Sequence, residues 1–252
     1  MNPGPPSFFE DRLVEPAVGR HAEAELDGLP GPVQHHLGNA IASGTPLART
    51  ARIRMRGHVR IGRWWVPFRG REVLSPHRGF LWIARAARLI TGYDRYIDGH
   101  GMLDWKLAGL LTVMHQEGPD TSRSAAERAA AEAMWVPTAL LPRFDVEWEA
   151  ADDTHISARY HIDDKPIHVR YQLTEGGHIR SVLFDRWGDP DNTGRWNPSP
   201  FGGEFTSHRT FDGVTIPDAG RLGWHYATDR WVDGEFFRYQ ITDLKLIAQA
   251  TV

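Results

Sequence analysis

The 252-residue chain has no cysteine. That excludes disulfides, thiolate nucleophiles, Cys-type zinc sites and iron–sulfur ligation. No apolar run approaches the roughly 20 residues that span a bilayer. The N-terminal stretch, with Glu10, Asp11 and Glu15, lacks a basic region followed by an apolar one. No export signal is therefore expected, and the expected location is cytoplasmic. Charge of one sign is also scarce. The net charge is −3 and the pI about 6.5. Nucleic acid is thus not expected as a partner, and nothing in the overall charge points to a membrane surface. The glycine-rich phosphate loops, HExxH, EF-hand and GxSxG patterns are absent, so no cofactor is expected.

Ten tryptophans are present. Tryptophan is large, and its indole N–H finds a partner when buried. The residues fill a core, line an aromatic pocket, or do both. Hydrophobic content of 41% and charged content of 24% describe an ordinary folded chain.

Periodicity gives the architecture. Ile53, Met55, Val59 and Ile61 alternate with Arg52, Arg54, Arg56, His58 and Arg60, as in a half-buried strand. A hairpin partner follows over Trp64 to Leu74, then strands over Phe80 to Leu89, Tyr93 to Asp98 and Met102 to Lys106. After residue 144 the alternation returns in segments ending near Trp148, Ile162, Leu173, Trp187, Phe211, Tyr226 and Ile247. Asp212-Gly213 and Asp233-Gly234 are turn dipeptides. Gly188 to Gly203 reads as one long irregular loop.

Two helices interrupt this pattern. A short one is expected over Gly31 to Ile41, with Pro32 in its first turn. The other is expected over about 122–141, with Ser124 as N-cap, Glu127 closing a capping box and Pro137 near its end. The expected fold is mainly β (α+β). A single curled antiparallel sheet of about eleven strands, a barrel or half-barrel, encloses the central helix. Residues 1–28 form an extended arm, and 29–252 one barrel-like domain with a cavity for an apolar ligand.

Candidate chemistry follows from polar residues in apolar settings. Glu132 lies among alanines beside Met134 and Trp135, where burial would favour its neutral form, so it is the first candidate acid or base. Glu204 and His208, four apart on a strand, are the next candidates. Trp82, Trp135 and Trp224, with Tyr96 and Arg186, are candidates to contact a ligand. Asp98, His100, Asp104 and Lys106 form another polar group. Of the thirteen histidines, His155, His161 and His168 read as the solvated face of two neighbouring strands, and no metal site is assigned. The arginine-bearing strand reads as a solvated outer face, for which an acidic strand such as Asp145, Glu147 and Glu149 is a candidate partner.

Several segments together resemble the DUF6544 family (earlier DUF6920). They are Leu29 to Val33, Tyr96 to Gly101, Lys106 to Leu110, Phe201 to Phe205, Asp212 to Pro217, Gly223-Trp224 and Trp231 to Tyr239. The most specific is Glu132-Ala133-Met134-Trp135-Val136-Pro137-Thr138-Ala139-Leu140-Leu141. The resemblance implies a curled sheet holding a helix, similar to LolA- or lipocalin-type architecture. It implies no catalytic roles, since the family has no established activity.

Three functions are consistent with this reading. The first is cofactor-independent acid/base chemistry, of isomerase, cyclase or lyase type, on an enclosed hydrophobic or aromatic molecule. The alternative is a non-catalytic carrier for a lipid-like or polyketide-like ligand. The third is an interaction domain with a tryptophan surface. A homodimer is compatible with all three.

Overall fold

The computed structural model describes residues 6–248. Residues 1–5 of the expected arm, and 249–252, lie outside the described residues. The arm is not extended throughout: α1 spans Pro6–Leu13, and α2 spans Gly31–Ala40. Then come β1 Ala51–Ile61, β2 Trp64–Ser75, β3 Gly79–Ala86, β4 Ile90–Ile97, β5 His100–Leu107 and β6 Leu111–Glu117. Helix α3, Pro119–Ala131, follows. The chain closes with β7 Glu147–Ala150, β8 His155–Ile162, β9 Lys165–Leu173, β10 Ile179–Gly188, β11 Asn197–Phe211, β12 Val214–Trp224 and β13 Glu235–Leu246. A single turn of helix, α4 (Trp231–Gly234), joins the last two strands.

All 13 strands form one antiparallel sheet in the order β6-β5-β4-β3-β2-β1-β13-β12-β11-β10-β9-β8-β7. The chain enters at the middle, walks to one edge, crosses to the other through α3, and walks back. The sheet curls round the crossing segment but does not close, so the barrel-like alternative resolves to a half-barrel. Thirteen strands replace about eleven for one main reason. The fully exposed β6 lacks the apolar alternation that marks a half-buried strand. The expected long loop shrinks to residues 189–196, because β11 begins at Asn197 and pairs with Gly188.

The central helix also differs from expectation. It starts at Pro119, with Gly118 as N-cap, and Ser124 lies buried inside it. Proline in the first turn displaces the capping box as the start signal, since its missing N–H has no partner to lose there. The α-helix ends at Ala131. The rest of the expected span becomes short 3₁₀ turns over Glu132–Trp135, Pro137–Leu140 and Pro142–Phe144. Prolines at 137 and 142 allow only short runs. These turns place Trp135, Val136, Ala139, Leu140 and Leu141 fully inside the curl. The space expected as a cavity beside the helix is thus occupied there by the chain's own side chains.

Close approach fixes the helix on the sheet. A Cβ on Gly101 would stand 2.6 Å from Ser122 Cα and 2.7 Å from Thr121 O. With glycine there, the Ser122 hydroxyl accepts the Gly101 N–H at 2.9 Å and donates to Gly118 O at 2.8 Å. On the convex face, α1 covers a second small core of Leu13, Val73, Leu81, Ile97 and Ile247.

Helix α2 packs Val33, His36, Leu37 and Ala40 into the main core beside β7 and β8. His36 is hydrogen-bonded through Nδ1 to Gly177 O at 2.9 Å. Burial first, then nearby histidines, pushes its pKa down to about 4. The folded protein therefore holds His36 neutral while the unfolded chain protonates near 6.5. Stability from this group is complete above about pH 6.5 and is lost as pH falls towards 4, by about 3 kcal/mol in all. Urea midpoints measured at neutral pH and near pH 4 are expected to converge in His36→Gln, relative to the wild-type difference.

Candidate functional site

Sheet register builds the site. Paired residues share a face, and one concave row runs Ile53–Glu72–Trp82–Asp94–Leu103 across β1 to β5. The next row is Met55–Gly70–Ala84–Gly92–Trp105. Its small residues leave room for two indoles: a Cβ on Gly70 would meet Trp82 Nε1 at 2.8 Å, and one on Gly92 would meet Trp105 Cδ2 at 2.5 Å. Two carboxylates thus stand in the apolar phase of β2 and β4, facing α3.

The helix answers with Arg128. Its Nε donates to Glu132 Oε1 at 2.8 Å and its Nη1 to Asp94 Oδ2 at 2.7 Å. Its Nη2 lies 4.0 Å from Glu72 Oε1, too far for a hydrogen bond. The guanidinium sits over Phe80 at 4.5 Å and Trp82 at 5.2 Å. Trp105 Nε1 donates to Asp94 Oδ1 at 2.8 Å. Burial weakens Arg128's hold on its proton, but the charges of Glu132 and then Asp94 outweigh it, and the pKa rises.

Glu72 behaves differently. Its side chain is 0% exposed, and apart from Glu132 neither oxygen has a hydrogen-bond partner. Burial, then the charge of Glu132, holds its pKa well above the usual carboxylate range, which favours its neutral form. Trp82 Nε1 lacks a partner. The interior therefore holds a neutral acid, two Arg-paired carboxylates and an indole donor, with unmet hydrogen-bonding capacity.

Arg186, on β10, extends the cluster. Its Nε donates to Ser124 O and Oγ, both at 3.2 Å. It lies over Phe201 at 4.7 Å and Trp224 at 5.1 Å. Burial, then the charge of Arg128, lowers its pKa to about 10, which leaves it a cation at neutral pH.

The expected site residues separate into two groups. Glu132, Trp82 and Arg186 lie in or beside this cluster, and Trp224 stacks under Arg186. Trp135 is buried further along, where its Nε1 donates to Tyr239 OH at 3.3 Å. Tyr96 is buried on β4, and its hydroxyl donates to Asp163. The other group is elsewhere. Register shifts between Phe205 and His208 break the expected alternation. Glu204 instead meets Arg221 at 2.7 Å, while His208 stacks on His178 and its Nε2 lies 2.9 Å from Ile179 O. Asp98 pairs with Arg12 at 2.5 Å, outside the cluster.

Glu72, Asp94 and Arg128 were not among the sequence candidates. The signal was available: each carboxylate occupies an inward position of an alternating strand, and Arg128 precedes Glu132 by one helical turn. Among the described residues, no group of three or more His, Asp or Glu is arranged to hold a metal ion, and no helix is long and apolar enough to cross a membrane.

Residues 19–236 match a family of unknown function, DUF6544. The chain belongs to that family. The specific segment from Glu132 to Leu141 is the part of this DUF6544 chain that fills the curl. No curated protein matches its sequence. Among solved structures, it is similar to a putative outer membrane lipoprotein-sorting protein domain from Vibrio parahaemolyticus, at 10% identity and TM-score 0.43, covering 78% of this chain and 85% of that one. A LolA superfamily protein from Nitrosomonas europaea has 9% identity and TM-score 0.44, with coverage of 85% and 91%. A DUF1329 family protein from Desulfovibrio piger has 10% identity and TM-score 0.42, with coverage of 79% and 86%.

The buried ionic cluster has consequences for stability. Glu72 is neutral when folded and ionises near pH 4.3 when unfolded, so its contribution to stability declines as pH rises above that value. The loss is about 1.4 kcal/mol per pH unit until the folded pKa is reached. Glu72→Gln is expected to raise the melting temperature at pH 8 and leave it nearly unchanged at pH 4. Arg128→Leu strands two buried carboxylates and is expected to destabilise by about 3–5 kcal/mol in denaturant titrations at neutral pH.

Proposed function

We propose that the protein binds a small, largely apolar molecule against the concave face and moves a proton on it without a cofactor. Glu72 is the acid and Glu132 the base; Arg128 and Asp94 hold the base in place. The supporting observation is the fully buried Glu72 beside Glu132, whose pKa burial and the charge of Glu132 raise well above the usual carboxylate range, as a neutral acid poised to give a proton requires. Trp82 and Trp105 supply apolar faces, and the free Trp82 Nε1 offers one donor to a polar group of the ligand. Residues 29–252 act as one unit in this reading. The cysteine-free composition suits a reducing cytoplasm, where we place the activity.

Native mass spectrometry of the purified chain, followed by extraction of any retained molecule, tests the proposal. An apolar adduct is expected, converted by the wild type and held unchanged by Glu72→Gln. A wild-type protein that returns its ligand unaltered after long incubation would leave carriage and remove proton transfer. A bound structure with the molecule remote from Glu72 and Glu132 would remove both.

A further inference from the structure

One rim of the sheet carries large apolar side chains in water. Ile61 and Trp64 flank the β1–β2 turn, Leu89 lies in the β3–β4 turn, Leu110 and Leu111 lie at the β5–β6 turn, and Val232 lies in α4. Leu110 is 90% exposed, Val232 77% and Trp64 64%. Ile61 belongs by phase with the buried residues of β1, yet it is exposed because the hairpin projects beyond the core. The turns are tied into a line. Arg60 donates to the carbonyls of Val232 and Asp233, Ala87 N donates to Pro67 O at 3.0 Å, and Ala108 N donates to Leu89 O at 2.8 Å.

Cations accompany them. Arg63 stacks on Trp64 at 4.7 Å, and Arg88 precedes Leu89. Just behind the turns, on the convex face, a transverse row runs Arg56–Arg69–Arg85–Thr91–Lys106. Like charges placed directly opposite each other destabilise a sheet. No carboxylate stands in this row. Arg56 is engaged only by the neutral Gln240, and Arg69 and Arg85 have no ion pair among the described residues. The row borders a groove of about 690 Å³ that also takes in Arg54 and Arg71. Asp104 pairs with Lys106 at one end, and Asp229 and Asp233 bound the basic stretch at α4.

We propose that this rim docks the protein on an anionic lipid surface. The apolar turns enter the outer part of the bilayer and the arginines neutralise headgroups. The charge pattern selects this occupant: unopposed guanidiniums favour a negative surface, and separate apolar turns along one edge suit a fluid apolar layer that receives each independently. Docking is independent of the interior chemistry.

Co-sedimentation of the full chain with phosphatidylcholine vesicles, with and without phosphatidylglycerol, tests this. Binding is expected with phosphatidylglycerol, weakening as salt rises. Arg69→Gln and Arg85→Gln are each expected to weaken it about fivefold. Leu110→Asp is expected to weaken it about tenfold or more, and Trp64→Asp likewise. All four positions lie at the surface, and unchanged melting curves establish that each variant folds. Absence of binding to phosphatidylglycerol vesicles, or binding indifferent to all four substitutions, overturns the proposal. So does displacement by inorganic phosphate beyond its effect on ionic strength, which would mark a site for free anions. A Leu110→Asp protein that loses a dimer but keeps its vesicle binding assigns the turns to contact between copies and overturns it too.

Discussion

Arg128 holds the crossing helix to the sheet. A sheet whose two edge strands, β6 and β7, are joined only through α3 and the turns after it needs something to fix its curl. Here α3 runs between those edges, and its single buried guanidinium grips a carboxylate from β4 and one from its own end, with a third from β2 close by. Charges removed from water cost several kcal/mol each unless they are matched, so the match defines one seating of the helix. Gly101 permits that seating and the Ser122 hydroxyl registers it. The aromatic packing of Phe80, Trp82 and Trp105 then follows from where the guanidinium lies.

The same cluster couples architecture to chemistry. The interior favours a neutral carboxylic acid because Asp94 and Glu132 take the hydrogen bonds of the nearby cation, so that burial and the charge of Glu132 outweigh what Arg128 still offers Glu72. Removing the cation would therefore push the pKa of the acid further up as well as loosen the grip on the helix. The proposed proton transfer would draw on the same residues that hold the helix, so substitutions among them need both a stability and a ligand readout.

Much of the fold was legible because strand alternation survives in single segments such as β1 and β8. The break at Pro137 was legible because proline removes a donor. Other features were not. β6 is exposed along its length and lacks alternation, so no period announces it. The bulges after Phe205 separate Glu204 from His208 without altering their spacing in the sequence. Strand order was hidden as well. The basic β1 lies between β2 and β13 rather than beside an acidic strand, and Glu147 and Glu149 belong to β7 at the far edge, which pairs with β8. Net charge concealed the resulting asymmetry: a slightly acidic chain concentrates unpaired arginines on one face.

The seam between β1 and β13 has a consequence for synthesis. Each half of the sheet is a run of neighbouring hairpins, which can form as the chain emerges. The second edge of β1 has no such neighbour; its partner begins at Glu235. At ordinary rates of translation, β1 waits on the order of ten to thirty seconds with that edge unpaired. Its outward arginines guard the interval, since an edge strand bearing positive charge repels its own copies on neighbouring ribosomes until the last strand arrives.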